Sequence, residues 1–144
     1  MTTHPTISHI SLYADDPQFV AAALASLIGG HAAPFPPCAG GWVCFLSAAR
    51  AAWSHEFIEF YPRHAQLART PGAVRPLFMP VEGGPATGAG SHVNLMLPMT
   101  AAQIEAACAS SGLLHAWRWN GLMDVWLEDR LMVELVPAAV EDVL

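Results

Sequence analysis

The chain has 144 residues, 53% of them hydrophobic and only 12% charged, with a formal net charge of −6. A chain of this length fits one domain, or two small halves on one core, and can bury roughly 68–70% of its unfolded surface. Six Lys plus Arg without a basic cluster argue against nucleic acid as a partner, and the best apolar run, Phe19 to Ile28, is too short to span a bilayer.

The first pattern in the chain is "ISHISLYADDP", Ile7 to Pro17, which reads as a strand running into a turn. The segment that follows, "DDPQFVAAALASLIGG", has the punctuation of a helix. Asp15 or Asp16 caps it, Pro17 suits its first turn, and Gly29 or Gly30 ends it. Strand-like runs come next: a weak one near His31 to Pro36, then Gly41–Ser47, then Glu56–Pro62. Pro71 to Gly90 holds nine Gly or Pro residues and no periodic pattern, so it reads as a linker.

The scheme then repeats. "SHVNLMLPMT" (Ser91–Thr100) is strand-like, and "MTAAQIEAACASSG" carries a capping box at Thr100 and Gln103 and a stop at Gly112. Three strand runs follow, Leu113–Asn120, Gly121–Glu128 and Arg130–Pro137, with Asn120-Gly121 as a two-residue hairpin signal. The chain therefore reads as two βαβββ modules, about 5–70 and 90–137, joined by the linker at 71–90. The expected fold class is α+β, one domain with a curved, cup-shaped mixed sheet and helices on its outer face.

The three cysteines, Cys38, Cys44 and Cys108, follow no zinc spacing and read as reduced thiols of a cytoplasmic protein. The N-terminus shows no signal-peptide pattern.

Side chains alternate across a strand. Ile10 and Leu12 face the helix in the first strand, so His9, Ser11 and Tyr13 point the other way. By the same count His92, Asn94 and Met96 share a face, as do Phe57, Glu59 and Tyr61, and Met132, Glu134 and Val136. Two histidines and two glutamates thus sit mid-strand, one of each per half, opposite the helix-packing side. A buried carboxylate must be solvated, paired with a cation or bound to a metal. Two imidazoles and two carboxylates suit nickel, cobalt, zinc, manganese or iron better than calcium. Either histidine alone is an ordinary strand residue; the four repeat-related positions together carry the expectation. "HEFIE" (His55–Glu59) lacks the second histidine of a zinc-protease helix, and "EGGPATGAG" lacks the lysine of a phosphate loop.

On "SHISLYADDPQFV", "SHVNLMLP" and "LEDRLMVELVP", and on the paired modules, the chain resembles the vicinal oxygen chelate superfamily of glyoxalases, bleomycin-resistance proteins and extradiol dioxygenases. The resemblance implies one divalent metal per site, held by His9, Glu59, His92 and Glu134, a ligand order like that of bacterial glyoxalase I. It implies lyase or isomerase chemistry in which Glu134 or Glu59 moves a proton. Tyr13, Phe57, Tyr61, Asn94, Met96, Trp117, Trp119 and Trp126 are candidates for the substrate pocket. Tyr13 and Arg63 stand where glutathione-using members carry arginine and asparagine, so another small oxygenated substrate is expected. The superfamily also implies a homodimer. The alternatives are a metal-free drug- or antibiotic-binding protein of the bleomycin-resistance type and an iron-dependent dioxygenase.

Overall fold

The computed structural model describes residues 9–47, 56–67, 77–80, 82, 92–118, 121–128 and 131–138. The chain divides into two compact units, Met1–Ala25 with Gly29–Pro85, and Ser26–Ile28 with Ala86–Leu144.

The first half runs β1 (His9–Ala14), α1 (Pro17–Ile28), β2 (His31–Pro34), β3 (Trp42–Phe45) and β4 (Phe57–Pro62). Its sheet has the order β1-β4-β3-β2, with β1 parallel to β4 and the other pairs antiparallel. The helix begins as its sequence dictates. Asp16 caps it by accepting from the Phe19 N–H at 3.0 Å, Pro17 opens the first turn, and Gly29 closes it at φ +71°. Val20, Leu24 and Leu27 form its buried stripe.

Two short strands were not legible in the sequence. β5 (Ala65–Leu67) pairs antiparallel with β6 (Phe78–Pro80), and β6 lies inside the Gly/Pro-rich stretch read as a linker. The Pro-rich segment after β2 also has a defined structure. It folds into a turn with Phe35 N–H donating to Gly41 C=O (2.9 Å) and Gly41 N–H to Cys38 C=O (2.8 Å). Phe35 and Cys38 from this turn and Ala65 from β5 join Val43, Phe45 and Phe57 in an apolar cluster, with Phe78 packed against it. The sheet face that carries Glu59 is therefore covered rather than bare.

The second half runs β7 (His92–Leu97), α2 (Ala101–Ser111), β8 (Leu114–Trp117), β9 (Met123–Glu128) and β10 (Leu131–Pro137), ordered β7-β10-β9-β8. Again the outer pair, β7 and β10, is parallel. Thr100 and Gln103 form the capping box, and Gly112 ends α2 at φ +72°. α2 packs on β10, and Ile104 and Cys108 on the helix are fully buried, as are Met123, Val125 and Val133. The β8–β9 connection closes through Arg118 N–H to Leu122 C=O at 2.7 Å, with Gly121 at φ +83°; Asn120 lies outside the described residues. The fold class is α+β with mixed parallel and antiparallel sheets. Among the described residues no helix is long and apolar enough to cross a membrane.

Candidate functional site

β4 lies inside its sheet, between β1 and β3, so Glu59 is not an edge residue. It is 5% exposed. The parallel register sets Ser11 opposite Glu59, His9 opposite Phe57, and Tyr13 opposite Tyr61. Ser11 donates to Glu59 Oε2 at 2.6 Å, and the Tyr61 hydroxyl donates to the same oxygen. Among the described residues both hydrogen bonds to this carboxylate fall on Oε2. Burial, and then the hydrogen bond to Glu59, push the Tyr61 phenol above its ordinary pKa. The Cys38 thiol is likewise raised, by burial and then by the negative charge of Glu59. The His9 imidazole stacks on Phe57 with ring centres 4.9 Å apart and planes 3° from parallel. Tyr61 meets Phe78, Phe35 and Tyr13 through its ring. Arg63, just beyond β4, is engaged by Asp15.

The second unit repeats the register. Asn94 faces Glu134, and His92 faces Met132. Each histidine therefore precedes by two residues the strand neighbour that faces the glutamate. That neighbour also has the same task in both units: Asn94 Nδ2 donates to Glu134 Oε2 at 2.9 Å, as Ser11 does to Glu59. The side chain of His92 lies outside what is described.

The other oxygen of Glu134 has a partner that spacing did not reveal. Arg118, just beyond β8, places Nη1 2.9 Å from Glu134 Oε1. Its Nε lies 2.6 Å from Oδ2 of Asp124, which faces Glu134 from β9. Asp124 and Glu134 are 7% and 6% exposed. The hydrogen bond to Asp124, followed by the charges of both carboxylates, raises the Arg118 pKa. Asp124 Oδ1 is buried without a hydrogen-bond partner among the described residues. The sequence holds few cations, yet one of the six is committed here. Asp124 had a sequence signal, an acid alternating with Met123 and Val125 in an interior strand; Arg118 had none.

The expected pocket residues divide. Tyr13, Phe57 and Tyr61 share the face of Glu59. Asn94 and Met96 on β7 and Trp126 on β9 share the face of Glu134 and Asp124, and Met96 is 70% exposed. Trp117 does not belong with them. It alternates onto the helix side of β8, where its indole Nε1 donates to Glu105 of α2 at 2.6 Å. Trp119 lies outside the described residues.

Among the described residues no three His, Cys, Asp or Glu side chains gather closely enough to hold a metal ion. The donor types are nevertheless suitable. Glu59, steadied on one oxygen by two hydroxyls, is arranged as ligating carboxylates commonly are. Glu134 fits such a role only with Arg118 turned away from Oε1.

Two βαβββ modules, each with a parallel outer pair in matching register, make this an α+β fold of the glyoxalase type. No protein-family model and no curated protein matches the chain. Solved structures do. An integron cassette protein from V. cholerae has a TM-score of 0.58 at 11% identity, over 96% of this chain and 98% of that one. The fosfomycin resistance protein FosX from Listeria monocytogenes gives 0.57 at 12%, over 99% and 100%. A lactoylglutathione lyase from Agrobacterium tumefaciens gives 0.54 at 15%, over 95% and 96%. At these identities the likeness is one of fold.

Proposed function

We propose that the protein is a metal-dependent lyase or isomerase of the glyoxalase type, acting on a small oxygenated substrate other than a glutathione adduct. His9, Glu59, His92 and Glu134 are its metal ligands in this reading. The observation that carries it is the repeated register, in which a histidine and a glutamate hold matching places in both units and each glutamate is steadied by the residue facing it.

When bound, such an ion supplies Lewis acidity toward a substrate oxygen. The chain supplies the rest. Ser11 and Tyr61 fix Glu59 Oε2 and leave Oε1 as the oxygen that would hold the ion or, when off it, carry a proton from one substrate carbon to its neighbour. Stacking on Phe57 sets the plane of the His9 ring. Tyr13 and Tyr61 offer aromatic surface beside that carboxylate. The reading includes a homodimer, which sedimentation tests.

A second reading, metal-free binding of a small molecule, is favoured by the Arg118–Glu134 ion pair, because a guanidinium already stands at that carboxylate. Metal analysis of the purified protein separates the two. About one nickel, cobalt or zinc ion per chain, lost in Glu134→Gln along with turnover, supports the enzyme. Metal-free protein whose tryptophan fluorescence is quenched by ligand supports the binder and sinks the enzyme.

A further inference from the structure

We propose that Arg118 is a built-in competitor for the metal: it neutralises Glu134 in the ion-free protein and must leave Oε1 when a divalent cation binds. The inference rests on the metal-binding reading above. Asp124 and Glu134 face each other on adjacent antiparallel strands, a separation at which like charges repel. Both are buried, and the guanidinium bridges them through two different nitrogens, Nε to Asp124 and Nη1 to Glu134.

The two contacts are unequal. The one to Asp124 is the shorter, 2.6 Å against 2.9 Å, and it uses the nitrogen nearest the backbone. The guanidinium can swing Nη1 off Glu134 while Nε stays on Asp124. The Arg118 side chain is 39% exposed, so there is room for that swing. Asn94 keeps Glu134 Oε2 in place meanwhile. A cation arriving at Oε1 with Arg118 still in contact meets a like charge across a few ångströms of poorly screened space. The arginine thus keeps two buried acids from repelling each other and weakens metal binding as a consequence. Glu59 has no such rival, since its described partners are neutral hydroxyls. The orphaned Oδ1 of Asp124 has the same origin, since one arginine serves two carboxylates.

The test is a Co2+ titration of the full chain, followed by the visible absorption of bound cobalt. Arg118→Gln keeps an amide donor for Asp124 and removes the charge. Its Kd for Co2+ should fall about tenfold or more below that of the unaltered protein. Arg63→Gln, which removes the same charge from the Asp15 pair on the other unit, should leave Kd within about twofold. Equal affinity in Arg118→Gln and the unaltered protein overturns the competitor role while leaving the metal reading intact. Equal tightening by both variants also overturns it, because net charge alone would then explain the gain. Absence of cobalt binding in all three removes the metal reading and this inference together. If Arg118→Gln is unfolded without metal, circular dichroism follows the same titration; refolding by cobalt supports the proposal, and no refolding at millimolar cobalt overturns it.

Discussion

Removing the Tyr61 hydroxyl should destabilise the first unit without disturbing its packing. In Tyr61→Phe the ring keeps its neighbours, Phe78 with centroids 4.8 Å away and Phe35 at 5.8 Å. The donor to Glu59 Oε2 is lost, together with the acceptor of a longer 3.3 Å contact from Ser11 Oγ, which keeps its own 2.6 Å bond to Glu59. That acceptor is a carboxylate in a residue 5% exposed, and a hydrogen bond to a charged group of this kind contributes roughly 1.5–3 kcal/mol. Ser11→Ala removes the second donor, from an exposed residue, and should cost less, about 0.5–1.5 kcal/mol. The pair should cost more than the sum, because after both changes no described residue donates to the carboxylate. Glu59→Gln in the doubly altered background should then recover stability by removing the uncompensated charge. Urea denaturation with a constant m-value measures each step. A cost below about 0.3 kcal/mol for Tyr61→Phe refutes the argument, since it means that water already solvates this oxygen.

Two further outcomes follow from buried groups and helix ends. Burial pushes the Cys44 thiol from 9.0 to about 12, and burial followed by Glu105 pushes Cys108 to about 11. The folded state therefore holds these protons more tightly than the unfolded chain, so stability is full below pH 9 and declines as pH rises toward 12. Cys44 alone should account for a loss of about 2–3 kcal/mol by pH 11, and the decline should be shallower in Cys44→Ala; an unchanged slope would contradict the burial argument. Thr100→Ala removes the acceptor for the Gln103 N–H, 3.2 Å away, and should lower stability by about 1 kcal/mol, whereas Thr100→Ser should change it little.

Features set by neighbours in the chain were legible in the sequence; those set by distant pairing were not. Asp16, Thr100, Gly29 and Gly112 act within one helical turn, so each could be read from a few adjacent letters. Strand alternation told which side chains accompany His9 and Glu59, because period-two patterning is a local property. β5 and β6 escaped because each has three residues, β6 ends on a proline, and among the described residues each pairs with the other, far along the chain. Trp117 was misplaced for a related reason. A tryptophan in an edge strand is apolar on either face, and its side follows from the pairing of β8 with β9, with Glu105 of α2 accepting from its indole. Arg118 shows the limit most clearly. It sits at the end of a strand, where an arginine ordinarily signals a solvated turn, and finds its partners only after β9 and β10 have folded back alongside β8.

The same local rules that duplicated the module also expose where its halves diverge. Both glutamates need a donor on Oε2, and in each case the residue across the parallel pair provides it: a hydroxyl from Ser11, an amide from Asn94. Beyond that the neighbouring strands differ. In the first unit the residue facing Glu59 from β3 is Val43, so that strand sets no second acid opposite it. In the second the residue facing Glu134 is Asp124, and a buried pair of acids requires an arginine. A single position, valine in one module and aspartate in the other, thus decides whether the glutamate has a resident counter-charge beside it. Asp124→Val would make the two alike. It should detach Arg118 from its anchor, weaken the hold on Glu134 and tighten cobalt binding in the direction of Arg118→Gln. Binding unchanged from the unaltered protein would mean that Arg118 stays on Glu134 without the aspartate.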